Sequence, residues 1–533
     1  MRRVVEGDIC VIGAGIVSAM VTEKLADERD ARIIVVEAGD SIFNYDERIR
    51  LWQRAQSYGE NPWPRDHIDG VRALGETFGI GPTMAVGGLA LHYGGSSPRF
   101  SPEDFRVRSL YGVGDDWALS YEDLEPFYQE AEERIGVAGE QGPPELDPRS
   151  RPYPMPPLPL SYNLKLLKAW GEASGIPFWT NPQAKNTRPH RGRPVCCRLD
   201  ACNMCPIGAR YSPDFTFRDL VADERVQLIP RTIVRRLVPE AASSRISHAV
   251  ALDRDHPDEP VELRAKVFVL ASGYVWSSHL LLLSTDARHP DGLANGSGLV
   301  GRYVGGHRFV SGSAEIPQKL YPGLNSRNSL VSKTFMRPSK LDWYVRHDLR
   351  IWESSAGGEA RLRNEAGQVL LGDEVMDDWR QRAERGVVRL RSYYDVLPDR
   401  ESRLTLDASA RTPWGDPLPR LQFKDSEVSA AMRARTEDRI GILFEDIVRA
   451  GGGKLLTSRG SDEKDHAGGG CRMGADPATS VTDSYGRTHD HENLFVVGAP
   501  TMVTTGCANS SPTLAALGLR SATEIGKDFP AKA

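Results

Sequence analysis

The chain has 533 residues and contains no run of about 18 apolar residues, the length a helix needs to cross a bilayer, so no membrane span is expected. It also lacks any block of Lys or Arg, and its formal net charge is only −5. A nucleic-acid surface requires a basic excess, so that class of partner is excluded. Cysteine is scarce. Of seven, four crowd at Cys196, Cys197, Cys202 and Cys205, while Cys10, Cys471 and Cys507 stand apart, and in a cytosolic chain such a cluster reads as cofactor or redox chemistry before it reads as a disulfide framework. Met1-Arg2-Arg3 runs almost directly into the apolar segment after Asp8, leaving no room for a hydrophobic leader and cleavage site, so a cytoplasmic location is expected. Internal repeats and low-complexity tracts are missing too.

What is present has the balance of a globular protein, 40% hydrophobic and 26% charged. The length exceeds one ordinary domain of roughly 100–200 residues, and two interwoven domains around a large buried site are expected. The first 40 residues read as a strand over 8–12, a glycine turn, a helix to about Ala26 and a strand over 32–37. Residues 60–160 are rich in Gly and Pro and read as long loops, interrupted by a helix near Tyr121 to Ile135. Strand character returns at Val226 and in the segment from Lys266 to the small-residue turn at Gly273. Between about 300 and 460 aromatic strands, among them Trp343-Tyr344 and Tyr393-Tyr394, precede a helix near Glu427 to Ala450, which suits an antiparallel sheet. The last 70 residues alternate glycine loops with a strand from Asn493 to Gly498 and a helix from Thr513.

Gly13-Ala14-Gly15 with Ser18 follows a strand and opens a helix, and Glu37 closes the next strand 24 residues after Gly13. Gly13 permits the tight turn, Gly15 lets a pyrophosphate approach the backbone, and the helix N-terminus offers N–H groups and partial positive charge. Ser18 replaces the third glycine as a small packing residue. Glu37 is placed to accept hydrogen bonds from ribose hydroxyls. A lone G-x-G is a weak signal, but the whole β-α-β unit surrounds this one, and dinucleotide binding is the reading.

Several segments together resemble the glucose-methanol-choline (GMC) oxidoreductase family. They are the N-terminal unit, Val86-Gly87-Gly88 through His92 to Gly94-Gly95, Tyr111 to Trp117 with the helix after it, Asn295 to Arg302, and His466 through the glycine and Cys471-Arg472-Met473 loop to Thr513. The chain looks closest to the sugar-oxidising branch, which includes pyranose 2-oxidase, glycoside 3-oxidases and 3-dehydrogenases, and fructose, gluconate and glucose dehydrogenases. The resemblance implies an α/β fold with a Rossmann-like FAD-binding domain (1–45, 60–110, 220–310 and 462–533) and an antiparallel-sheet substrate domain (111–219 and 311–461). It implies FAD as cofactor, with Gly13, Gly15, Ser18, Glu37, Gly87, Gly88, His92, Gly95, Ser96, Gly273, Gly498 and Ala499 around it. His92 stands where pyranose 2-oxidase carries a histidine bonded covalently to its flavin; a structural histidine in a buried glycine loop is the bland reading.

The same resemblance maps the catalytic pair onto His466 and Asn509. Removing hydride from a carbinol requires the hydroxyl proton to leave, and a base with an ordinary pKa near about 6.5 suits that step at neutral pH. Asn509 would hold the substrate oxygen as charge develops on it. Against this, His466 lies in a charged, Gly-rich stretch where an exposed loop histidine is the commoner case. The family's Asn-Pro-Thr is also stretched here to Asn509-Ser510-Ser511-Pro512-Thr513, so counting back from Pro512 selects Ser511 instead. The implied substrate is a pyranose or glycoside oxidised at a secondary hydroxyl, C3 first (C-glycosides included) and C2 second, with dioxygen or another acceptor taking the electrons.

Cysteines 196, 197, 202 and 205, with Pro206 following, have the density of an iron–sulfur site, and the resemblance implies Cys196, Cys202 and Cys205 as ligands of a cluster relaying electrons. Relative to that pattern, one residue is missing between the last two. A zinc clasp, a disulfide or inert thiols stay open beside it. The rival activity is an FAD and iron–sulfur polyol or alcohol dehydrogenase feeding a cytochrome or quinone.

Overall fold

A computed structural model describes residues 3–41, 46, 48–50, 72–73, 84–198, 202, 205–241, 243–321, 328–338, 346–354, 362–364 and 367–532. The aromatic pair Trp343 and Tyr344 and much of the 60–83 loop lie outside the described residues.

The first body is built on a five-stranded parallel sheet in the order Leu494–Val496, Val267–Leu270, Ile9–Ile12, Ile33–Val36, Val226–Ile229. Its central strands are apolar throughout and fully buried, as strands covered on both faces must be. Ile9 and Val11 point to one face, against Val17, Met20 and Val21 of the helix Ile16–Glu28 and Ala515 and Leu519 of the helix Ser511–Ile525. Cys10 and Ile12 point to the other, against Leu237, Ala249 and Leu263 of a four-stranded sheet made from Arg3–Glu6, Thr232–Pro239, Ile246–Asp253 and Pro260–Arg264. The period of two along a strand produces this division. Strands are added on opposite sides of Ile9–Ile12, so the chain reverses direction of growth at its C-terminal end, where open α/β sheets form a crevice.

The second body is an antiparallel sheet in the order Lys454–Gly460, Gly305–Ile316, Gly386–Tyr394, Leu349–Ser354, Leu330–Ser332, Trp179–Thr180. Helices Glu427–Ala450 and Tyr162–Glu172 cover its outer face through Ile440, Phe444, Ile447, Leu164 and Leu167. Its inner face looks toward the parallel sheet's crevice.

Two elements join the two bodies. The helix Tyr121–Ile135, closed by Ser120 and Asp123 at its start and by Gly136 in a left-handed conformation (φ 77°) at its end, packs with the first body: Ala131 and Ile135 join its core, and Tyr128 Oη lies 2.7 Å from Thr513 Oγ1. Its apolar stripe is satisfied there. The strand Gly305–Ile316 serves both, its first residues pairing with Asp465–Gly468 and the rest with the antiparallel sheet. Among the described residues no helix is long and apolar enough to cross a membrane.

Candidate active site

One cavity of about 980 Å³ extends from the C-terminal ends of the parallel strands to the inner face of the antiparallel sheet. At its first end the fingerprint behaves as its sequence requires. Gly13 has φ 99°, and a Cβ there would stand 2.8 Å from Ser272 Cα and 2.9 Å from Ala271 O, so only glycine fits. Gly15 caps the helix Ile16–Glu28, no side chain among the described residues is bonded to the first-turn N–H groups, and an added Cβ on Gly15 would meet nothing within 4 Å. Open backbone donors beside a cavity are what a pyrophosphate needs. Gly88 approaches until its Cβ position is 3.2 Å from Gly15 Cα, bringing the second glycine loop onto the first.

Glu37 is buried at the cavity wall, its Oε2 accepting from Ala14 N (2.8 Å) and its Oε1 from Gly39 N (2.9 Å). Burial raises its pKa, and these backbone donors hold it back. His92, Ser96, Gly273 and Ala499 also line the cavity. His92 is kept neutral, its pKa pushed down to about 4 by burial and by the Arg210 guanidinium. The other expected contacts stand one layer back. Gly87 donates its N–H to Ala14 O (2.7 Å), Gly95 O accepts from Ala184 N (2.6 Å), Gly498 presses on Val17, and Ser18 is wholly buried within its helix. The residues present thus fit a dinucleotide such as FAD.

At the far end the structure brings His466 and Asn509 together, with Asn509 Nδ2 2.7 Å from His466 Nε2. Asn509 Oδ1 accepts from Ser96 Oγ (2.9 Å), and that hydroxyl accepts from Asn181 Nδ2 (2.8 Å). Ser511, the alternative, starts the final helix and lines the cavity without a bond to the imidazole. The stretch read as an exposed loop is the short strand Asp465–Gly468, held against Gly305–Ile316, and His466 sits in it at φ 52°. A side chain in that left-handed region is uncommon, and strain of this kind collects at functional sites.

Sequence reading missed His307. Its Nε2 lies 2.7 Å from His466 Nδ1, and its Nδ1 lies 3.0 Å from Gly506 O. A carbonyl only accepts, so His307 carries its proton on Nδ1 and accepts at Nε2. His466 must then donate from Nδ1, which leaves the Nε2 lone pair directed at Asn509. The sequence held one pointer: Gly305-Gly306 opens a strand, and glycine there marks close backbone approach. A Cβ on Gly306 would stand 2.8 Å from Asp465 O. Tyr393 closes the cluster, its ring centroid 4.7 Å from His307 and 5.7 Å from His466. Burial pushes both imidazoles well below the ordinary histidine pKa, and for His466 the Arg350 and Arg391 guanidiniums add to it.

In the cysteine segment Cys196 lies within electrostatic reach of Cys202 and Cys205. Cys202 and Cys205 are buried, Cys196 is half-buried, Cys197 is exposed, and no disulfide joins any of the seven cysteines. Among the described residues no three His, Cys, Asp or Glu side chains converge as a metal ion would require, and we route no chemistry through Cys196, Cys202 and Cys205.

Residues 398–518 match the GMC oxidoreductase family profile. Over its full length the chain is similar to the fructose dehydrogenase large subunit of Gluconobacter japonicus, 30% identical across 99% of both chains. It is 29% identical to the 6'''-hydroxyparomomycin C oxidase of Streptomyces lividus across 98% of this chain and 92% of that one. Pyridoxine 4-oxidase from Mesorbium loti shares the fold at a TM-score of 0.62 and 18% identity, covering 98% of this chain and 99% of its own. With similarity of this extent over the whole length, the chain belongs to the GMC oxidoreductases, a family of FAD-binding enzymes that act on CH–OH groups.

Proposed function

We propose that this enzyme oxidises a secondary hydroxyl of a sugar or glycoside to the ketone, with His466 as the base. The first position to test is C3 of a glycoside, C-glycosides included, and the second is C2 of a pyranose. The observation that carries the reading is the pairing of an unprotonated His466 Nε2 with the Asn509 amide at the cavity wall, 2.7 Å apart. A hydroxyl entering there satisfies both groups with one oxygen, donating its proton to Nε2 and accepting from Nδ2. His466 then holds the proton as imidazolium, while Asn509 steadies the oxygen on which charge develops.

Gly13, Gly15, Glu37, Gly88, Gly273 and Ala499 would hold FAD, which when bound would supply the hydride acceptor, with dioxygen or another acceptor taking the electrons on. The neutral His92 imidazole faces the same cavity and is the residue that would carry a covalent flavin; acid precipitation reads this directly, by whether the yellow colour stays with the protein. Full-length relatives named for fructose and for an aminoglycoside support a polyhydroxylated substrate.

The test is anaerobic mixing of the flavin-loaded protein with sugars, glycosides and polyols, followed by air. Bleaching by a sugar or glycoside supports the reading, and prompt return of colour in air identifies an oxidase. A panel in which only simple alcohols bleach the flavin would refute it.

A further inference from the structure

The cavity wall that faces the His466 and Asn509 pair carries an arrangement of charge that the reaction above does not use. Arg350 on the strand Leu349–Ser354 is directly opposite Arg391 on Gly386–Tyr394, and Trp352 is directly opposite Arg389. Ser311 stands opposite Arg391 on its other side. By the period of two these side chains share one face, and all five line the cavity. Like charges directly opposite each other destabilise a strand pair, so two arginines in register need a reason.

Only Arg350 of the three has an ion-pair partner among the described residues. Arg350 is 2% exposed; its Nε donates to Asp348 Oδ2 (2.5 Å) and its Nη1 to Ser96 Oγ (3.3 Å), while Nη2 is buried with no hydrogen-bond partner among the described residues. A buried unpaired guanidinium donor is costly, and it marks a place kept for an acceptor. Among the described residues Arg391 hydrogen-bonds to neutral groups, Nε donating to Ser311 Oγ (3.3 Å) and Nη1 to Tyr393 Oη (3.2 Å); its guanidinium lies over the Phe309 ring at 4.4 Å and reaches the Asp348 carboxylate by longer-range attraction. Arg389 is exposed and has no ion-pair partner among the described residues. The other charges lining the cavity near them are Asp465, Lys464, which is paired with Asp425, and Asp416, which is paired with Arg235. Three guanidiniums therefore have one ion-pair partner among the described residues, Asp348, and one further carboxylate, Asp465, lines the same cavity without an ion pair there. The remaining single positive charge suits a carboxylate better than a phosphate dianion.

We infer that Arg350, Arg389 and Arg391 form a carboxylate subsite, and that the substrate is an acidic sugar: an aldonate, a uronate or a uronate glycoside. Arginine forks bind carboxylates through paired charge-assisted hydrogen bonds, and the Trp352 ring beside them offers an apolar face to the sugar's C–H groups. The inference rests on the reading that a hydroxyl is oxidised at His466. It also accounts for an apparent misfit, since Arg350 and Arg391 weaken His466 as a base in the free enzyme. A bound carboxylate offsets their charge and restores the base where substrate is present.

The experiment compares anaerobic bleaching of the holoenzyme by gluconate and glucuronate with bleaching by glucitol, methyl glucoside and glucose 6-phosphate. The acids are expected to react with a second-order rate at least about tenfold above their neutral counterparts, with the advantage shrinking as salt is raised. In Arg391→Gln and in the exposed-site variant Arg389→Gln the ratio of acid to neutral rates should fall toward one. A readout independent of turnover is the melting temperature with glutarate, which has no hydroxyl: it should rise for the wild type and not for either variant. Neutral sugars reacting as fast as the acids, or the phosphate outpacing both acids, would overturn the subsite and leave the oxidation reading standing. Stabilisation by glutarate with no bleaching by any sugar would keep the subsite and remove the reading it rests on.

Discussion

His307 Nε2 and His466 Nδ1 lie 2.7 Å apart, and because the second nitrogen of His307 is committed to the carbonyl of Gly506, this contact selects the tautomer of His466. The carbonyl acts here as a carboxylate does behind other catalytic histidines: it orients one ring, which orients the next. Nothing in the pair needs a net charge, in keeping with its burial.

Replacing His466 with Gln is expected to slow anaerobic flavin reduction by about 10²–10⁴-fold, the usual worth of a positioned general base. Flavin content should be unchanged, because His466 is at the far end of the cavity from Gly15 and Glu37. Stopped-flow reduction of the variant at saturating substrate measures the loss.

His307→Ala removes the acceptor that holds the His466 Nδ1 proton and leaves a buried N–H unpaired, a penalty of about 1–3 kcal/mol. Reduction should slow by about tenfold or more at constant flavin content. His307→Gln, whose side-chain oxygen can accept the same proton, should recover part of the rate. Equal loss in both variants would mean that His307 acts by packing alone.

The pH profile follows from the depressed His466 pKa. Burial and the two guanidiniums disfavour the imidazolium, so the neutral base persists as pH falls through about 6.5, where an ordinary histidine gains its proton. The acid limb of kcat/KM, which reports the free enzyme, should therefore lie below that value. In Asn509→Asp the new carboxylate cannot donate to Nε2 and instead favours a proton on it, so the limb should move upward and activity near neutral pH should fall.

Gly15→Val separates folding from cofactor binding. Gly15 has φ −86°, accessible to any L residue, and its Cβ position is open. The variant should fold, with stability close to wild type by thermal melting, and should purify colourless because the side chain occupies the pyrophosphate's place. Gly13→Ala, with φ 99° and backbone atoms inside 3 Å of the new Cβ, should destabilise the fold itself.

The elements that were legible are those whose signals are local. The apolar run ahead of Gly13 marks a buried parallel strand, Gly15 marks an open helix start, and the helices at 121–135 and 427–450 stand as their periodicity indicates. The packing partner of the helix Tyr121–Ile135 was not legible, since an amphipathic stripe states that a face is buried and not against what. The histidine at 466 was legible only through resemblance, because its own neighbours Lys464 and Asp465 read as an exposed loop. Its protection comes from pairing with a strand some 160 positions earlier.

Residues adjacent in the chain thus decided the dinucleotide unit: turn, helix start and the acidic end of the next strand are tied by spacing, and backbone hydrogen bonds enforce that spacing over short distances. Whether His307 meets His466, and whether Arg350 faces Arg391, depended on sheet register and on two bodies closing over one cavity. Those are long-range pairings, in which a shift of one residue turns every side chain to the other face, and no local pattern encodes them.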